Sequence, residues 1–267
     1  MKYFDYHLHS EGSFDCEIPL ILQAEAANRA GISEICVTDH VDLDPFTKEN
    51  YPVSDFTVLK KKHEEILPLS PIPIRFGVEL GVYKENIAEY EAFLKNRAFD
   101  FVICSQHYVI DCDPYFSDRY YRGLTQKEAY DKYLLELYRS ISAFQDYNVV
   151  GHIGYVTKYY PGTEEKKLQY KNHADLIDAI LKKVIESGKG IEINTGGIDA
   201  TGETLPTKEI AARYLELGGE IITTGSDSHK TENTGKYIAD AVEMLKSIGF
   251  RYVCSFSERK PIFHRIG

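Results

Sequence analysis

The chain has 267 residues, of which 31 are basic and 41 acidic, so its formal net charge is −10 at pH 7. Apolar residues make up 43 % of it, enough to bury a core, and the length suits a single α/β barrel domain spanning residues 1–267. The sequence has neither a basic stripe nor a run of ~20 apolar residues, which argues against nucleic-acid and membrane partners.

Short apolar runs typical of β-strands alternate along the chain with longer segments of helical periodicity. In chain order, the strand-like runs are 3–6, 34–37, 72–78, 101–104, 148–150, 190–193 and 220–223. Between them, apolar residues recur every three or four positions, as in the stripe from Leu176 to Ile185, which predicts helices. Gly188 and Gly249 follow such stripes, where glycine commonly ends a helix.

This alternation predicts an α/β fold with a parallel sheet and helices outside it. Seven strand-like runs favour an incomplete or distorted barrel over a regular eightfold one, and a doubly wound open sheet is the main alternative. The segment 251–266 holds two further short apolar runs and is predicted to be a final strand pair or an extended tail. The least regular segment, 111–125, follows a predicted strand and is a candidate for an active-site lid.

The five cysteines stand at no spacing typical of a metal finger, and Cys36 and Cys104 lie inside apolar strand-like runs. The N-terminus enters a strand-like run directly, without the apolar region of a secretory signal. An odd number of cysteines in such a chain predicts free thiols and a reducing, cytoplasmic location.

Six of the nine histidines stand just after the strand-like runs, with acidic residues beside them. The groups are His7 with His9, His40, Glu79, His107, His152, and Asp227 with His229. Because the carboxyl ends of barrel strands open on one face, we expect these side chains to share a site there. In His-X-His and Asp-X-His, alternate side chains of an extended segment point the same way, so each pair can share one ion.

Imidazole and carboxylate groups together are the ligand set for Zn, Mn or Fe. Eight such groups exceed the needs of one ion, so the sequence predicts two or three divalent ions, with Glu79 bridging a pair. A lone histidine at a strand end is more often a polar residue with satisfied hydrogen bonds than a metal ligand. We therefore expect His63, His173 and His264, which lie in helical or terminal segments, to be packing or exposed residues.

The order His-X-His, Thr-Asp-His, Glu, Ser-X-His, Gly-His and Asp-X-His resembles the PHP (polymerase and histidinol phosphatase) superfamily, most closely its histidinol-phosphatase branch. The resemblance covers the whole chain and is carried by the segments 4–10, 35–40, 113–115, 192–195, 219–223 and 260–262. It implies a distorted (β/α)7 TIM-like barrel, with a centre of Zn, Mn or Fe at the carboxyl ends of the strands.

The resemblance also implies a ligand set, which comprises His7, His9, Asp15, His40, Glu79, His107, His152, Asp227 and His229. One ion would be held by His7, His9, Glu79 and Asp227. A second would be held by Glu79, His107 and His152, and a third by Asp15, His40 and His229. Asp15 comes mainly from the resemblance, because from the residues alone a helix N-cap is the more natural role for it.

The phosphate-binding part of this chain departs from the branch it resembles. That branch usually has one arginine near 157 and another near 198–199, where this chain has Thr157-Lys158 and Ile198-Asp199. Lys158 can replace one arginine as a point charge, and Arg119 or Arg122 from the segment 111–125 can reach in, although solvated surface charges are the alternative for all three.

The resemblance implies hydrolysis of a small phosphomonoester, most closely L-histidinol phosphate in histidine biosynthesis, with a hydroxide bridging two ions as the nucleophile. The leaving group takes its proton from metal-bound water, Asp227 or His229, and the sequence does not choose among them. One alternative is a PHP-family phosphoesterase for another small phosphate ester or a phosphodiester. A metal-binding module without activity is disfavoured, because structural sites are closed and rich in cysteine.

Overall fold

The computed structural model describes residues 1–43 and 52–267. The strands are β1 (Phe4–Leu8), β2 (Glu34–Val37), β3 (His40–Val41), β4 (Ile74–Gly81), β5 (Phe101–Ser105), β6 (Val149–Val150), β7 (Gly190–Asn194), β8 (Ile222–Gly225), β9 (Tyr252–Ser257) and β10 (Lys260–Arg265). The helices are α1 (Leu20–Arg29), α2 (Phe56–Ile66), α3 (Ile87–Leu94), α4 (Ser117–Tyr120), α5 (Gln126–Ala143), α6 (Tyr170–Glu186), α7 (Ile198–Thr201), α8 (Lys208–Glu216) and α9 (Ile238–Ile248).

Seven parallel strands form the main sheet in the order β1-β2-β4-β5-β6-β7-β8, and the short β3 pairs with β4 just beyond β2. The first and last strands meet as well. The Thr224 hydroxyl donates to the Phe4 carbonyl at 2.6 Å, and the N–H of Asp227 donates to the His7 carbonyl at 2.7 Å. These contacts curve the sheet into a nearly closed barrel, so the predicted barrel is confirmed and the open doubly wound sheet is wrong.

The helices between the strands bury one apolar face each. In α6 the predicted stripe is fully buried at Ile177, Ile180 and Val184, and α9 ends at Gly249, whose φ of 116° favours glycine. α5 begins with a capping box, in which the side chains of Thr125 and Glu128 satisfy backbone N–H groups of the first turn. Across residues 1–43 and 52–267, no helix combines the length and the apolar character required to cross a bilayer.

The C-terminal segment forms the predicted strand pair, an antiparallel hairpin of β9 and β10. The turn of this hairpin contacts the loop before β5, where the N–H of Arg259 donates to the Asp100 carbonyl at 2.9 Å. The rings of Phe256 and Phe101 pack with centroids 4.8 Å apart. The hairpin therefore covers the amino ends of the barrel strands, opposite the end where the predicted ligands collect.

Candidate metal centre

The structure brings all nine predicted ligands to the carboxyl ends of the strands. They come from β1 (His7), β3 (His40), β4 (Glu79) and the segments after β1 (His9, Asp15), β5 (His107), β6 (His152) and β8 (Asp227, His229). The side chains of His7, His9 and Glu79 are almost completely buried. His63, His173 and His264 lie elsewhere: His63 packs on Phe76, His173 pairs with Asp131, and His264 bonds Ser255.

The first cluster is formed by His7, His9, Glu79 and Asp227. Glu79 Oε2 lies 3.1 Å from His7 Nε2 and 3.6 Å from His9 Nε2. Asp227 Oδ1 lies 3.7 Å and 3.4 Å from the same two nitrogens. Ligand atoms at about 2.0–2.2 Å from a tetrahedral zinc ion are roughly 3.3–3.6 Å apart. The atoms of His7, His9 and Glu79 lie close enough together to hold one divalent ion, and Asp227 Oδ1 approaches the same two imidazoles.

The hydrogen-bonding state of these atoms agrees with a role in metal binding. Within the described part of the chain, His7 Nε2, His9 Nε2 and Glu79 Oε2 are buried without a hydrogen-bond partner. A buried polar atom left this way costs about 1–3 kcal/mol, which a bound cation would offset. The three atoms therefore converge as ligands rather than as members of a hydrogen-bonded core.

The second cluster uses the other oxygen of Glu79. Glu79 Oε1 lies 2.8 Å from His152 Nε2 and 3.3 Å from His107 Nε2, and these two nitrogens are 3.4 Å apart. Because the two oxygens of one carboxylate face two different groups of imidazoles, Glu79 has the geometry of a bridging ligand.

The third cluster brings together Asp15, His40 and His229. His229 Nε2 lies 3.2 Å from Asp15 Oδ2 and 3.4 Å from His40 Nε2, while His40 Nε2 is 3.7 Å from Asp15 Oδ2. Asp15 is not the N-cap that the residues alone favoured: α1 begins at Leu20, whose N–H donates instead to the side chain of Glu11. That N-cap interpretation is wrong.

The charges of the clusters shift the pKa values of the ligands in both directions. Burial would lower the pKa values of His7, His40 and His107, but neighbouring carboxylates outweigh it and raise them. Burial and the imidazoles of His229 and His40 hold the pKa of His9 well below its usual range, so His9 is neutral and has a free lone pair. Burial would raise the pKa of Glu79, but the neighbouring imidazoles outweigh it and hold that pKa well below its usual range. Glu79 is therefore ionised, as a bridging ligand must be.

A further set of carboxylates, which our sequence analysis missed, orients the ligand imidazoles. Glu192 Oε1 lies 2.7 Å from His7 Nδ1, and its second oxygen accepts the backbone N–H of His152 at 2.7 Å. Asp42 Oδ1 lies 2.9 Å from Nδ1 of His107. Such partners fix the tautomer and the orientation of a metal-binding imidazole. The signal for Glu192 was an acidic residue inside the otherwise apolar run 190–193.

A cavity of ≈ 230 Å³ opens directly above the clusters. Besides ligand residues, its walls contain aromatic side chains and three further charged groups: Phe14, Asp42, Tyr108, Asp113, Tyr115, Tyr155, Lys158 and Tyr159. Lys158 Nζ lies 3.4 Å from Asp227 Oδ2. Burial would lower the pKa of Lys158, but Asp227 outweighs it and raises that pKa, so the side chain is a fixed positive charge beside the first cluster.

The three predicted phosphate-binding residues do not come together. Lys158 lines the cavity, whereas Arg119 is largely exposed and donates to the Asp111 carbonyl at 2.8 Å. Arg122 is exposed and is not among the residues that line the cavity. At 198–199, where the resembling branch has an arginine, Asp199 instead pairs with Lys236 Nζ at 2.6 Å. Lys236 lines an adjoining cavity of ≈ 220 Å³ that shares Lys158 with the first.

The chain is similar to known proteins in both sequence and fold. The PHP domain matches residues 5–196. The histidinol-phosphatase of Lactococcus lactis is 31 % identical over 97 % of this chain and 96 % of its own length. A crystal structure of histidinol phosphate phosphatase from Lactococcus lactis, complexed with zinc, L-histidinol and phosphate, superposes with a TM-score of 0.86 at 29 % identity and covers 98 % of this chain and 99 % of that one.

A second crystal structure, from Listeria monocytogenes, superposes with a TM-score of 0.74 at 20 % identity, covering 89 % of this chain and 99 % of that chain. At that identity the likeness shows the fold alone. The domain match and the full-length relative show more, because the first spans residues 5–196 and the second is 31 % identical over 97 % of this chain. The chain therefore belongs to the PHP domain family, as its motifs predict.

Proposed function

We propose that this chain is a metal-dependent phosphatase that hydrolyses L-histidinol phosphate to L-histidinol and phosphate, a step of histidine biosynthesis. The observation that carries the proposal is the set of three ligand clusters at the floor of one cavity, two of them joined by Glu79. The full-length relative and the structure with zinc, L-histidinol and phosphate support the same activity. Five free cysteines and the absence of a membrane-spanning helix among the described residues support a cytoplasmic location.

We propose three ions, one for each cluster. Zinc is the ion in the related crystal structure, and the imidazole and carboxylate donors also suit Mn and Fe. Divalent ions bound here would lower the pKa of coordinated water and polarise a phosphoryl oxygen. The residues that hold them are His7, His9, Asp15, His40, Glu79, His107, His152, Asp227 and His229.

Lys158 is the residue of this chain that we assign to the phosphate group. Its ammonium lies at the cavity wall beside Asp227, so it can attract a phosphate oxygen without entering a cluster. Arg119 and Arg122 would have to leave their exposed positions to do the same.

The proton for the leaving group is best supplied by water in the cavity. Burial would raise the pKa of Asp227, but Lys158 and His7 outweigh it and hold that pKa well below its usual range, so Asp227 has no proton to give. His229 Nδ1 lies 3.0 Å from the Asp227 carbonyl and donates to it, while Nε2 faces Asp15 and His40. Both side chains are thus occupied in other contacts.

A second candidate is hydrolysis of another small phosphate ester. It is favoured by one observation, the replacement of the expected arginines by Thr157-Lys158 and Ile198-Asp199. Different phosphate-binding residues would permit a different substrate without any change in the metal clusters.

The two candidates separate in one experiment. The metal-stripped protein is reloaded with zinc or manganese, and phosphate release is measured from L-histidinol phosphate and from a panel of sugar, nucleotide and amino-alcohol phosphates. We expect metal-dependent turnover with the highest kcat/KM for L-histidinol phosphate. A clear preference for another ester would support the second candidate, and no metal-dependent turnover of any ester would refute both.

A further inference from the structure

One carboxylate in the described cavity wall pairs with none of the ligand imidazoles. Asp113 follows β5 and lies in the cavity wall with 6 % of its surface exposed. The other carboxylates in that wall, those of Asp15, Asp42, Glu79 and Asp227, each face ligand imidazoles. Asp113 belongs to no group of potential metal ligands within the described residues.

The hydrogen bonds of Asp113 come from neutral groups. Its Oδ1 accepts the backbone N–H of Tyr115 at 2.8 Å and the hydroxyl of Tyr155 at 3.2 Å. Within residues 1–43 and 52–267, no lysine or arginine forms an ion pair with it. A buried carboxylate is costly unless it is paired, so a cationic group of a ligand would stabilise this site.

The surroundings of Asp113 suit a cation as well. The rings of Tyr108, Tyr115 and Tyr155 line the same cavity, and the faces of aromatic rings attract ammonium groups. Lys158 Nζ lies 5.8 Å from the centroid of Tyr155, whose hydroxyl reaches Asp113. Tyr155 therefore lies between a positive group, Lys158, and a negative group, Asp113, of the cavity wall.

We propose that Asp113 is a specificity-determining residue, which binds the ammonium group of an amino-alcohol phosphate whose phosphate lies over the metal clusters. The inference rests on the proposed function and adds to it the residue that recognises the amine of the substrate. The walls then match a substrate that is anionic at one end and cationic at the other. An ester without the amine would keep the phosphate contacts and lose the contact to Asp113.

The test compares two esters in the zinc-loaded enzyme: L-histidinol phosphate and 3-(imidazol-4-yl)propyl phosphate, which lacks only the amino group. Asp113→Asn keeps an acceptor oxygen for Tyr115 and Tyr155 but removes the charge. We expect kcat/KM for L-histidinol phosphate to fall about 10- to 100-fold, mainly through KM, while the ester without the amine changes less than about threefold. Asp111→Asn, in the same segment but exposed, is the matched control and should leave both values unchanged.

A second measurement needs no variant. L-Histidinol should inhibit the wild-type enzyme at least about tenfold more strongly than 3-(imidazol-4-yl)propanol, because only the former carries the ammonium. If Asp113→Asn lowers kcat/KM equally for the two esters, or if the two alcohols inhibit equally, Asp113 does not bind the amine. If the wild type does hydrolyse L-histidinol phosphate in preference to the panel, the proposed function survives that result. If the wild type hydrolyses neither imidazole ester, the proposed function and the inference both fail.

Discussion

Glu192 holds two parts of the metal centre at once, so its replacement by Gln tests the geometry of the first two clusters. One oxygen of Glu192 lies 2.7 Å from His7 Nδ1, and the other accepts the backbone N–H of His152 at 2.7 Å. Glutamine has the same size but only one acceptor oxygen. In Glu192→Gln, one of the two donors would therefore face an NH2 group and lose its partner.

The size of the effect follows from burial. Glu192 is 1 % exposed, so water cannot replace the lost bond. A hydrogen bond to a charged group is worth about 1.5–3 kcal/mol, and a buried donor without a partner costs about 1–3 kcal/mol. Loss of the carboxylate behind a metal-binding imidazole typically lowers metal affinity about 10- to 100-fold, and we expect the same factor for zinc here.

The assay is a zinc titration of the metal-free protein against a chromophoric chelator, which reports affinity without turnover. Glu186→Gln, the same chemical change at an exposed position of α6, is the control and should bind zinc like the wild type. A Glu192→Gln protein that is folded by circular dichroism and binds zinc with wild-type affinity would refute the reasoning.

Three further variants test separate parts of the site and the core. His7→Ala removes a ligand atom and should lower kcat/KM more than about 100-fold with an unchanged circular dichroism spectrum, whereas near-normal activity would contradict its assignment. Lys158→Ala should raise KM for a phosphate ester about tenfold, and Lys158→Arg should bring KM most of the way back to the wild-type value. If the two variants raise KM equally, Lys158 does not bind the phosphate. Burial raises the pKa of Asp5 to about 6, although hydrogen bonds from Ser226 and Gly235 oppose it. Because this folded-state pKa exceeds the unfolded value, the native state binds the extra proton, and the group's contribution to stability falls as pH rises from about 4 to about 6. In urea unfolding of the metal-free protein, the decrease in the free energy of unfolding between pH about 4 and about 6 should be up to about 3 kcal/mol smaller in Asp5→Asn than in the wild type. The same pH dependence in both proteins would contradict a raised pKa of Asp5.

The barrel and the chemistry of its ligands could be predicted from the sequence, because both depend on patterns within short segments of the chain. Apolar periodicity reports which face of a segment is buried, so the parallel strands, the stripe of α6 and the C-terminal strand pair were all accessible. The predicted runs ended too early at five strands, β1, β4, β5, β7 and β8, and among them β1 extends to Leu8 and β4 to Gly81. A search for apolar runs stops at His7 and Glu79, which are buried by one another rather than by apolar neighbours.

The phosphate-binding side of the cavity was less predictable. Lys158 reaches the cavity because the chain after β6 turns over the site, whereas Arg119 turns outward to Asp111. All three candidates from the sequence were positive residues without a periodic context. The direction of a long surface side chain depends on its neighbours in space, which the local sequence does not reveal.

By itself, the sequence determined the residue types of the metal centre, their order along the strands and the family of the chain. The family resemblance implied which ligands share a cluster, and the tertiary structure supplied the distances between them. The structure also decided between the two roles for Asp15, which joins the third cluster instead of capping a helix. It also decided that Glu192 stands behind His7. The physical reason is the closure of β1 against β8, which sets distances of 3–4 Å between side chains far apart in the chain. Such distances depend on the curvature of the whole barrel, whereas a sequence pattern records only what each segment buries.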